Sequence, residues 1–168
     1  LGAAGGVGLS AVELGHLMGA KVIAAASSAE KLQLAKSRGA TELIDYTTEN
    51  LRDRIKEITN GKGVDVVYDP VGGDSTLATI KSLAWGGRHL VIGFAAGPIP
   101  NIPANLLLLK SAASLGVLWG MSLRADPVHH GKNIAELLQW LKEGKIKPEI
   151  DRVFPLEDVI PALEHVME

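Results

Sequence analysis

A glycine-rich run near the start of the chain has the residue types and the spacing that could hold a pyrophosphate. In the run AAGGVG, Gly5 and Gly8 take the second and third glycine positions of the fingerprint G-x-G-x-x-G, and Ala3 takes the first. The second glycine lets the backbone approach a pyrophosphate, and the third lets the following helix pack closely against a sheet. The amides near Gly6 and Val7 would point at the ligand from the positive end of that helix. The run therefore predicts a dinucleotide site.

Two other chemistries that use similar motifs fit less well. The P-loop pattern G-x-x-x-x-G-K-[ST] fails because Gly63 follows Lys62. Neither Tyr46 nor Tyr68 is followed by a lysine four residues later, as the Tyr-Lys pair of short-chain dehydrogenases requires.

The end of the second predicted strand bears on which dinucleotide is bound. NAD-specific sites place an acid about 20 residues after the loop, where it binds the ribose hydroxyls. Here the chain reads AAASS, and no carboxylate stands there to repel a 2′-phosphate. Ser27 and Ser28 offer donors, Lys31 offers a charge one turn later, and Tyr46 ends the neighbouring strand. These residues favour NADPH over NADH; the alternative is that the serines cap a helix and Lys31 is a solvated surface lysine.

Metal and thiol chemistry find little support in the sequence. The chain has no cysteine, which excludes disulfides, a thiolate nucleophile and an all-thiolate zinc site. His129 and His130 are adjacent in a predicted loop, where their side chains would point apart, and no third ligand is near in sequence. We interpret Asp69 as a turn residue at a strand end and Trp85 as a packing residue.

The elements that would position the glycine-rich loop alternate between strands and helices. Short apolar runs alternate with segments of helical periodicity, which predicts an α/β fold with a parallel sheet. The predicted strands cover residues 21–26, 42–45, 64–69, 87–94 and 114–119, and the predicted helices cover 8–18, 29–38, 50–59, 74–83, 105–111, 131–143 and 156–167.

The predicted fold is a doubly wound parallel six-stranded Rossmann sheet of order 3-2-1-4-5-6. Its first strand, which should precede the glycine-rich loop, is largely missing, since only Leu1 could belong to it. Because that strand would be central, we expect the chain to be a piece of a longer polypeptide. We assign residues 1–145 to an NADP-binding domain and 146–168 to a return segment toward a substrate domain.

Composition narrows the range of partners. Of the 168 residues, 46% are hydrophobic and 21% are charged, with a net charge of −2, which is ordinary for a globular domain. No basic stripe indicates a nucleic-acid partner, and no apolar run is long enough to span a membrane. We expect a cytoplasmic protein that binds neither nucleic acid nor a membrane.

The last predicted strand bears on assembly. Residues 114–119 form an apolar edge without charges, which favours a homodimer through pairing of edge strands. The alternative is that the long helix or the missing domain covers this strand.

Several motifs together resemble a known family. The runs AAGGVG, ASSAEKLQLAKSRGA, YDPVGGD, VIGFAAG and NLLLLKSAASLGVLWG, with the pair Asp45-Tyr46, are similar to the zinc-free quinone oxidoreductase, or zeta-crystallin-like, branch of the medium-chain dehydrogenase/reductase superfamily. The terminal KIKPEIDRVFPLEDVIPALEHVM resembles the return segment of that branch. The likeness covers essentially the whole chain. It does not separate quinone reductases from enoyl or acrylyl-type reductases.

The resemblance implies roles for matched positions, but it carries over no catalytic side chain and no metal ligand. The implied cofactor-binding residues are Ala4, Gly5, Gly6 and Val7 at the pyrophosphate, Ser27, Ser28, Lys31 and Tyr46 at the 2′-phosphate, Val71 and Gly72 beside the adenosine, Phe94 and Ala95 along the nicotinamide ribose, and Leu118, Trp119 and Gly120 beside the nicotinamide.

The resemblance also implies NADP(H) as the cofactor and a parent enzyme that transfers hydride from NADPH to a small quinone or enone. Hydride transfer needs a positioned cofactor and an acceptor held close to it. Since the substrate half is absent from this chain, we expect the chain alone to bind cofactor without turnover. The alternative is a catalytically silent NADP(H)-binding or assembly module on the same fold.

Overall fold

The structure is a computed structural model that describes residues 1–167. Helices and parallel strands alternate from residue 6 to residue 116, and helices follow, which confirms the predicted α/β class. The strands are β1 Ile23–Ala26, β2 Glu42–Asp45, β3 Val64–Asp69, β4 Leu83–Val91 and β5 Ala113–Gly116. The helices are α1 Gly6–Leu17, α2 Ala29–Ser37, α3 Leu51–Ile58, α4 Asp74–Lys81, α5 Ala104–Leu108, α6 Trp119–Ala125, α7 Pro127–Lys142 and α8 Val159–Met167, the last preceded by a 3₁₀ turn at Leu156–Asp158.

The strands form two sheets. β1 pairs with β2 in one sheet, and β4 lies between β3 and β5 in the other. All of these pairs are parallel. Residues 1–167 therefore contain five strands in two sheets rather than six strands in one. The pairing is compatible with the order 3-2-1-4-5-6, but the continuous six-stranded sheet stays a prediction.

The first residues of the chain lie between the two sheets. The amino group of Leu1 donates a hydrogen bond to the carbonyl oxygen of Tyr68 in β3, at 3.0 Å. The amide of Ala3 donates to the carbonyl oxygen of Ala25 in β1, at 3.1 Å. Beside this segment, a groove of about 660 Å³ is lined by residues of β1 and β3. The predicted strand order puts its first strand at this position.

Local sequence explains where the first helices begin and end. Ser28 Oγ accepts the Lys31 amide at the start of α2, at 3.3 Å. Asn50 Oδ1 accepts the Asp53 amide at the start of α3, at 3.1 Å. Such caps satisfy amides that have no partner within the helix. Gly39, just after α2, has a φ of +107°, in the left-handed region that favours glycine.

Buried apolar side chains fix the strands against the helices. Ile44 of β2 is fully buried and packs in one cluster with Leu51 and Ile55 of α3. Ile80 of α4 and Leu83 of β4 are each 1% exposed. The strand ends are therefore held by packed elements, and the loops that follow them start from fixed positions.

The predicted start and end of β4 were wrong. The sequence predicts a strand over residues 87–94, but β4 runs from Leu83 to Val91. Leu83 already pairs with Val64, and the register then shifts before the pairing resumes. Gly86, with a φ of +71°, lies in the irregular part. A glycine at a bulge is easily mistaken for a turn that precedes the strand.

The predictions for the segment after β4 also need correction. The predicted strand 114–119 is only Ala113–Gly116, and Trp119 is the first residue of α6. A short apolar run such as SLGVLW does not distinguish a strand from a helix by periodicity alone. Trp85 was predicted to pack, but it is 77% exposed.

Residues 146–149 return to the first two helices. The Lys147 amide donates to Glu13 Oε1 at 2.9 Å. Arg38 donates to the carbonyl oxygen of Lys147 at 2.7 Å and forms an ion pair with Glu149. These contacts fasten the start of the predicted return segment to the sheet domain, and the boundary at residue 145 stays a prediction.

None of the helices over residues 1–167 has the length and apolar character needed to cross a membrane.

Candidate functional site

The predicted cofactor-binding residues share one position relative to the sheets. Each group follows the carboxyl end of a parallel strand or of the segment at residues 1–3, and such ends meet at one edge, where α/β proteins bind ligands. Ser27 and Ser28 follow β1, Tyr46 follows β2, Val71 and Gly72 follow β3, Phe94 and Ala95 follow β4, and Trp119 follows β5.

The amino end of α1 has the form expected of a phosphate cradle. Gly5 is the N-cap residue in an extended conformation, and no side chain among residues 1–167 caps the helix. Gly5, Gly6 and Val7 are exposed, and Ala4 is half-buried. The first-turn amides of a helix have no partner within it and carry its positive end. This end is open to an anion.

The glycines of this loop divide into two kinds. A Cβ placed at Gly6 would meet nothing within 4 Å, and one at Gly5 would meet only the Gly2 carbonyl oxygen, at 3.5 Å. A Cβ at Gly8 would lie 2.1 Å from the same oxygen, which is a clash. Gly8 therefore lets α1 approach the segment at residues 1–3, and the space around Gly5 and Gly6 is open. The close approach predicted at Gly8 is present, and pyrophosphate binding at Gly5 and Gly6 stays a prediction.

Two predicted loops are joined side by side. The Ala95 amide donates to the carbonyl oxygen of Pro70 at 3.1 Å, and the Ala96 amide donates to that of Val71 at 2.9 Å. A Cβ placed at Gly72 would lie 3.0 Å from Phe94 Cδ1. The residues predicted beside the adenosine and those predicted along the nicotinamide ribose therefore form one surface.

The glycine-rich loop borders this surface. A Cβ placed at Gly2 would lie 3.0 Å from Val71 Cγ2. Movement of the turn at residues 70–73 would therefore reach both the cradle and the Phe94–Ala95 segment.

The predicted 2′-phosphate corner is assembled in part. The Tyr46 amide donates to the carbonyl oxygen of Ala26 at 3.2 Å, so Tyr46 lies beside the residues that follow β1. Lys31 is exposed in the first turn of α2. Asp45 is the acid nearest in sequence to Tyr46, and its carboxylate accepts hydrogen bonds from the Thr47 hydroxyl and amide. These hydrogen bonds, the hydroxyl first, lower the pKa of Asp45.

Ser28 caps α2, as the alternative interpretation of this corner proposed. Replacing Ser28 with alanine should lower the free energy of unfolding by about 1 kcal/mol, because the Lys31 amide loses its acceptor. Urea unfolding of Ser28→Ala and Ser27→Ala measures this, and only the first variant should lose stability. Equal stability of the two variants would show that the cap contributes nothing.

Trp119 lies farther along the same edge. It is 51% exposed, and its ring centroid is 4.9 Å from that of His130. His129 and His130 lie in the first turns of α7 rather than in a loop. No group of three or more His, Cys, Asp or Glu side chains among residues 1–167 is arranged to hold a metal ion.

A buried polar network behind the site was missed by the sequence analysis. Asp69 ends β3 and is 2% exposed, and His89 of β4 is 1% exposed. His89 Nε2 lies 3.0 Å from Asp69 Oδ2, and His89 Nδ1 lies 3.1 Å from Ser114 Oγ. A histidine within an apolar strand was the available signal. Its partner follows only from the register, in which Val67, two residues before Asp69, pairs with His89.

Hydrogen bonds keep the Asp69 carboxyl ionised. Burial by itself would raise its pKa, but hydrogen bonds from His89, Gly72, Thr76 and Val71 outweigh burial and lower the pKa to about 2. The Asp69 turn that the sequence analysis inferred is present, since Oδ1 accepts the amides of Val71 and Gly72 at 3.0 and 2.8 Å.

The fold and this edge define the class of Rossmann-like α/β domains. The family described as zinc-binding dehydrogenase matches residues 6–143, so the chain belongs to that family. It is 42% identical to a quinone oxidoreductase-like protein 2 homolog of Nematostella vectensis, over 99% of this chain and 46% of that protein. The predicted resemblance to the quinone oxidoreductase branch is confirmed.

Solved structures show the same likeness. A quinone oxidoreductase of Pseudomonas syringae pv. Tomato DC3000 superposes with a TM-score of 0.85 at 34% identity, covering 98% of this chain and 50% of that one. An Escherichia coli quinone oxidoreductase complexed with NADPH superposes with a TM-score of 0.80 at 33% identity, covering 89% of this chain and 46% of that one. The chain thus spans about half the length of the relatives it matches.

Proposed function

We propose that the chain is the NADP(H)-binding domain of an NADPH-dependent oxidoreductase that reduces a quinone or enone. The observation that carries the proposal is the exposed amino end of α1, lined by Gly5 and Gly6 at the carboxyl edge of the parallel strands. The similarity to quinone oxidoreductases, one of them complexed with NADPH, supports the same conclusion.

Different residues on this edge would bind different parts of the cofactor. The amides of Gly6 and Val7 would bind the pyrophosphate at the positive end of α1. Ser27, Ser28, Lys31 and Tyr46 would bind the 2′-phosphate, and the turn at Val71–Gly72 would flank the adenosine. Phe94, Ala95 and Trp119 would lie along the nicotinamide half. When bound, NADPH supplies the hydride.

The remaining parts of the proposal concern the whole protein. The acceptor would bind between this domain and a substrate domain, so the chain alone should not turn over. Hydride transfer without zinc is a further part of the proposal. The homodimer would form through β5, which pairs with β4 on one side and whose Leu115 is 43% exposed. A cytoplasmic location belongs to the same proposal.

Calorimetric titration of the whole protein with NADPH and NADH tests the cofactor assignment. NADPH should bind more tightly. Lys31→Ala should weaken NADPH binding by about tenfold, because a charge-assisted hydrogen bond to the 2′-phosphate is lost, and should leave NADH binding unchanged. Lys36→Ala, in the last turn of the same helix, is the matched control and should change neither affinity.

Two outcomes would count against the proposal. Equal affinities for NADPH and NADH would remove the NADPH preference. Tight NADPH binding without reduction of any member of a quinone and enone panel would instead favour a catalytically silent binding module.

A further inference from the structure

His89 is a buried polar side chain to which the proposed function assigns no role. It lies in β4, the middle strand of the three-stranded sheet. Its side chain contacts one side chain from each neighbouring strand, Asp69 of β3 and Ser114 of β5. Burying a histidine is unfavourable unless its ring nitrogens find partners. Both ring nitrogens of His89 have a hydrogen-bond partner, so the buried side chain is fully satisfied.

The network reaches the site through the two oxygens of Asp69. Oδ1 accepts the amides of Val71 and Gly72, at 3.0 and 2.8 Å. Oδ2 accepts the Thr76 hydroxyl at 2.8 Å and faces His89 Nε2 at 3.0 Å. Oδ1 thus holds the turn, and Oδ2 is held by two buried side chains, Thr76 and His89. Because a carboxylate is planar and rigid, the position of Oδ2 sets that of Oδ1.

The turn is also bonded to the segment after β4, through the Ala95 and Ala96 amides, but its own residues resist change of shape only weakly. Gly72 and Gly73 have φ values of +70° and +60°, and glycine loses more conformational freedom on ordering than other residues. An amide anchored to a buried charge is a strong local constraint. The backbone hydrogen bonds hold the Pro70 and Val71 carbonyl groups, and the Asp69 carboxylate holds the Val71 and Gly72 amides.

We propose that His89 is a positioning residue for the cofactor, which holds the Asp69 carboxylate so that the Val71–Gly72 turn keeps the shape required beside the adenosine of NADPH. This inference rests on the proposed NADPH binding. The groups that face the network are Asp69 from β3, Ser114 from β5 and Thr76 from α4.

The hydrogen-bonding capacity of an imidazole ring fits this role. With Nε2 as the donor to Asp69, a neutral ring accepts the Ser114 hydroxyl at Nδ1, and a charged ring donates there to the hydroxyl oxygen. In both forms the bond to Asp69 is made. Loss of the imidazole, or of its Nε2 position, would leave Oδ2 with the Thr76 hydroxyl but without its contact to β4, so the carboxylate would be held less firmly.

Two amide variants separate this role from general packing. Glutamine can place its amide nitrogen where Nε2 lies, whereas the shorter asparagine can match only the Nδ1 position. We expect His89→Asn to weaken NADPH binding by about tenfold, since a buried charge loses a donor, and His89→Gln to stay within about threefold of the unchanged protein. Ser114→Ala, which leaves the Asp69 contact in place, should also stay within about threefold.

The experiment measures NADPH dissociation constants by calorimetry and amide hydrogen exchange at Val71 and Gly72 in the same whole proteins. A merely structural role would lower the folded fraction and kcat but would leave the dissociation constant of folded protein unchanged. In His89→Asn, faster exchange at these two amides should accompany the weaker binding. If His89→Asn does not fold, His89→Leu carries the same test, because it removes the donor to Asp69 without adding a new polar group to the interior. It should bind NADPH more weakly and exchange faster at these two amides than Ser114→Ala, and equal values in the two variants would overturn the role of His89.

The outcomes separate the two proposals. Failure of the unchanged protein to bind NADPH overturns the proposed function, and the exchange rates still report whether His89 orders the turn. If the unchanged protein binds NADPH, and His89→Asn and His89→Gln bind it with that same affinity, the role of His89 is overturned and the proposed function stands.

Discussion

Replacing Gly8 with alanine should destabilise the protein by about 3 kcal/mol or more and abolish NADPH binding. The added Cβ would lie 2.1 Å from the Gly2 carbonyl oxygen and 2.8 Å from its carbonyl carbon. Both contacts are to backbone, which cannot rotate away as a side chain can. Helix α1 would have to move off the segment at residues 1–3, and its amino end would then leave the carboxyl edge of the strands.

Gly6→Ala is the matched control for this variant. Its Cβ meets nothing within 4 Å, and alanine favours helix, so its free energy of unfolding should change by less than about 1 kcal/mol. Urea unfolding followed by circular dichroism compares the two variants. Similar stabilities would show that α1 does not depend on the close approach at Gly8.

Removing the Asp69 carboxyl should have a similarly large effect. Asp69→Ala should cost about 3–5 kcal/mol, because it leaves His89 and the amides of the turn buried without their acceptor. Asp65→Ala is the control, since Asp65 lies on the same strand with a side chain that is 78% exposed. A loss below about 1 kcal/mol in Asp69→Ala would mean that the network contributes little to stability.

The same carboxyl predicts a contribution to acid stability. The folded-state pKa of Asp69, about 2, lies below its ordinary value of 3.8. Between these values the unfolded state binds more protons, so the contribution is fully present above about pH 4 and is lost as the pH falls toward 2. Its size is about 2 kcal/mol. Urea midpoints from pH 5 to pH 2 should fall less steeply in Asp69→Asn than in the unchanged protein, and parallel curves would contradict the assignment.

From these two regions we expect the candidate site to be rigid at the glycine-rich loop and adjustable beside it. Gly8 fixes the cradle through close backbone contact. The turn at Val71–Gly72 is held by backbone hydrogen bonds and also by the Asp69 side chain, and conservative substitutions can loosen the side-chain hydrogen bonds one at a time. Substitution of Gly8 should therefore lower stability and cofactor affinity together, whereas substitutions of His89 should change the two quantities separately.

Local sequence determined a large part of this protein. The bounds of β2 and β3 were predicted correctly, because short apolar runs there are bordered by turn residues. The glycine-rich loop and the positions that follow the strands could also be found, since their backbone requirements are local. The family resemblance followed from the same runs.

The tertiary structure alone decided the rest. The bulge at Gly86 and the early end of β5 depend on which strand lies alongside, and a single segment does not encode its neighbour. His89 and Asp69 are 20 residues apart in sequence, and their pairing depends on the register of the two strands that carry them. Since an unpaired histidine or carboxylate would be costly to bury, only the folded arrangement shows that each satisfies the other.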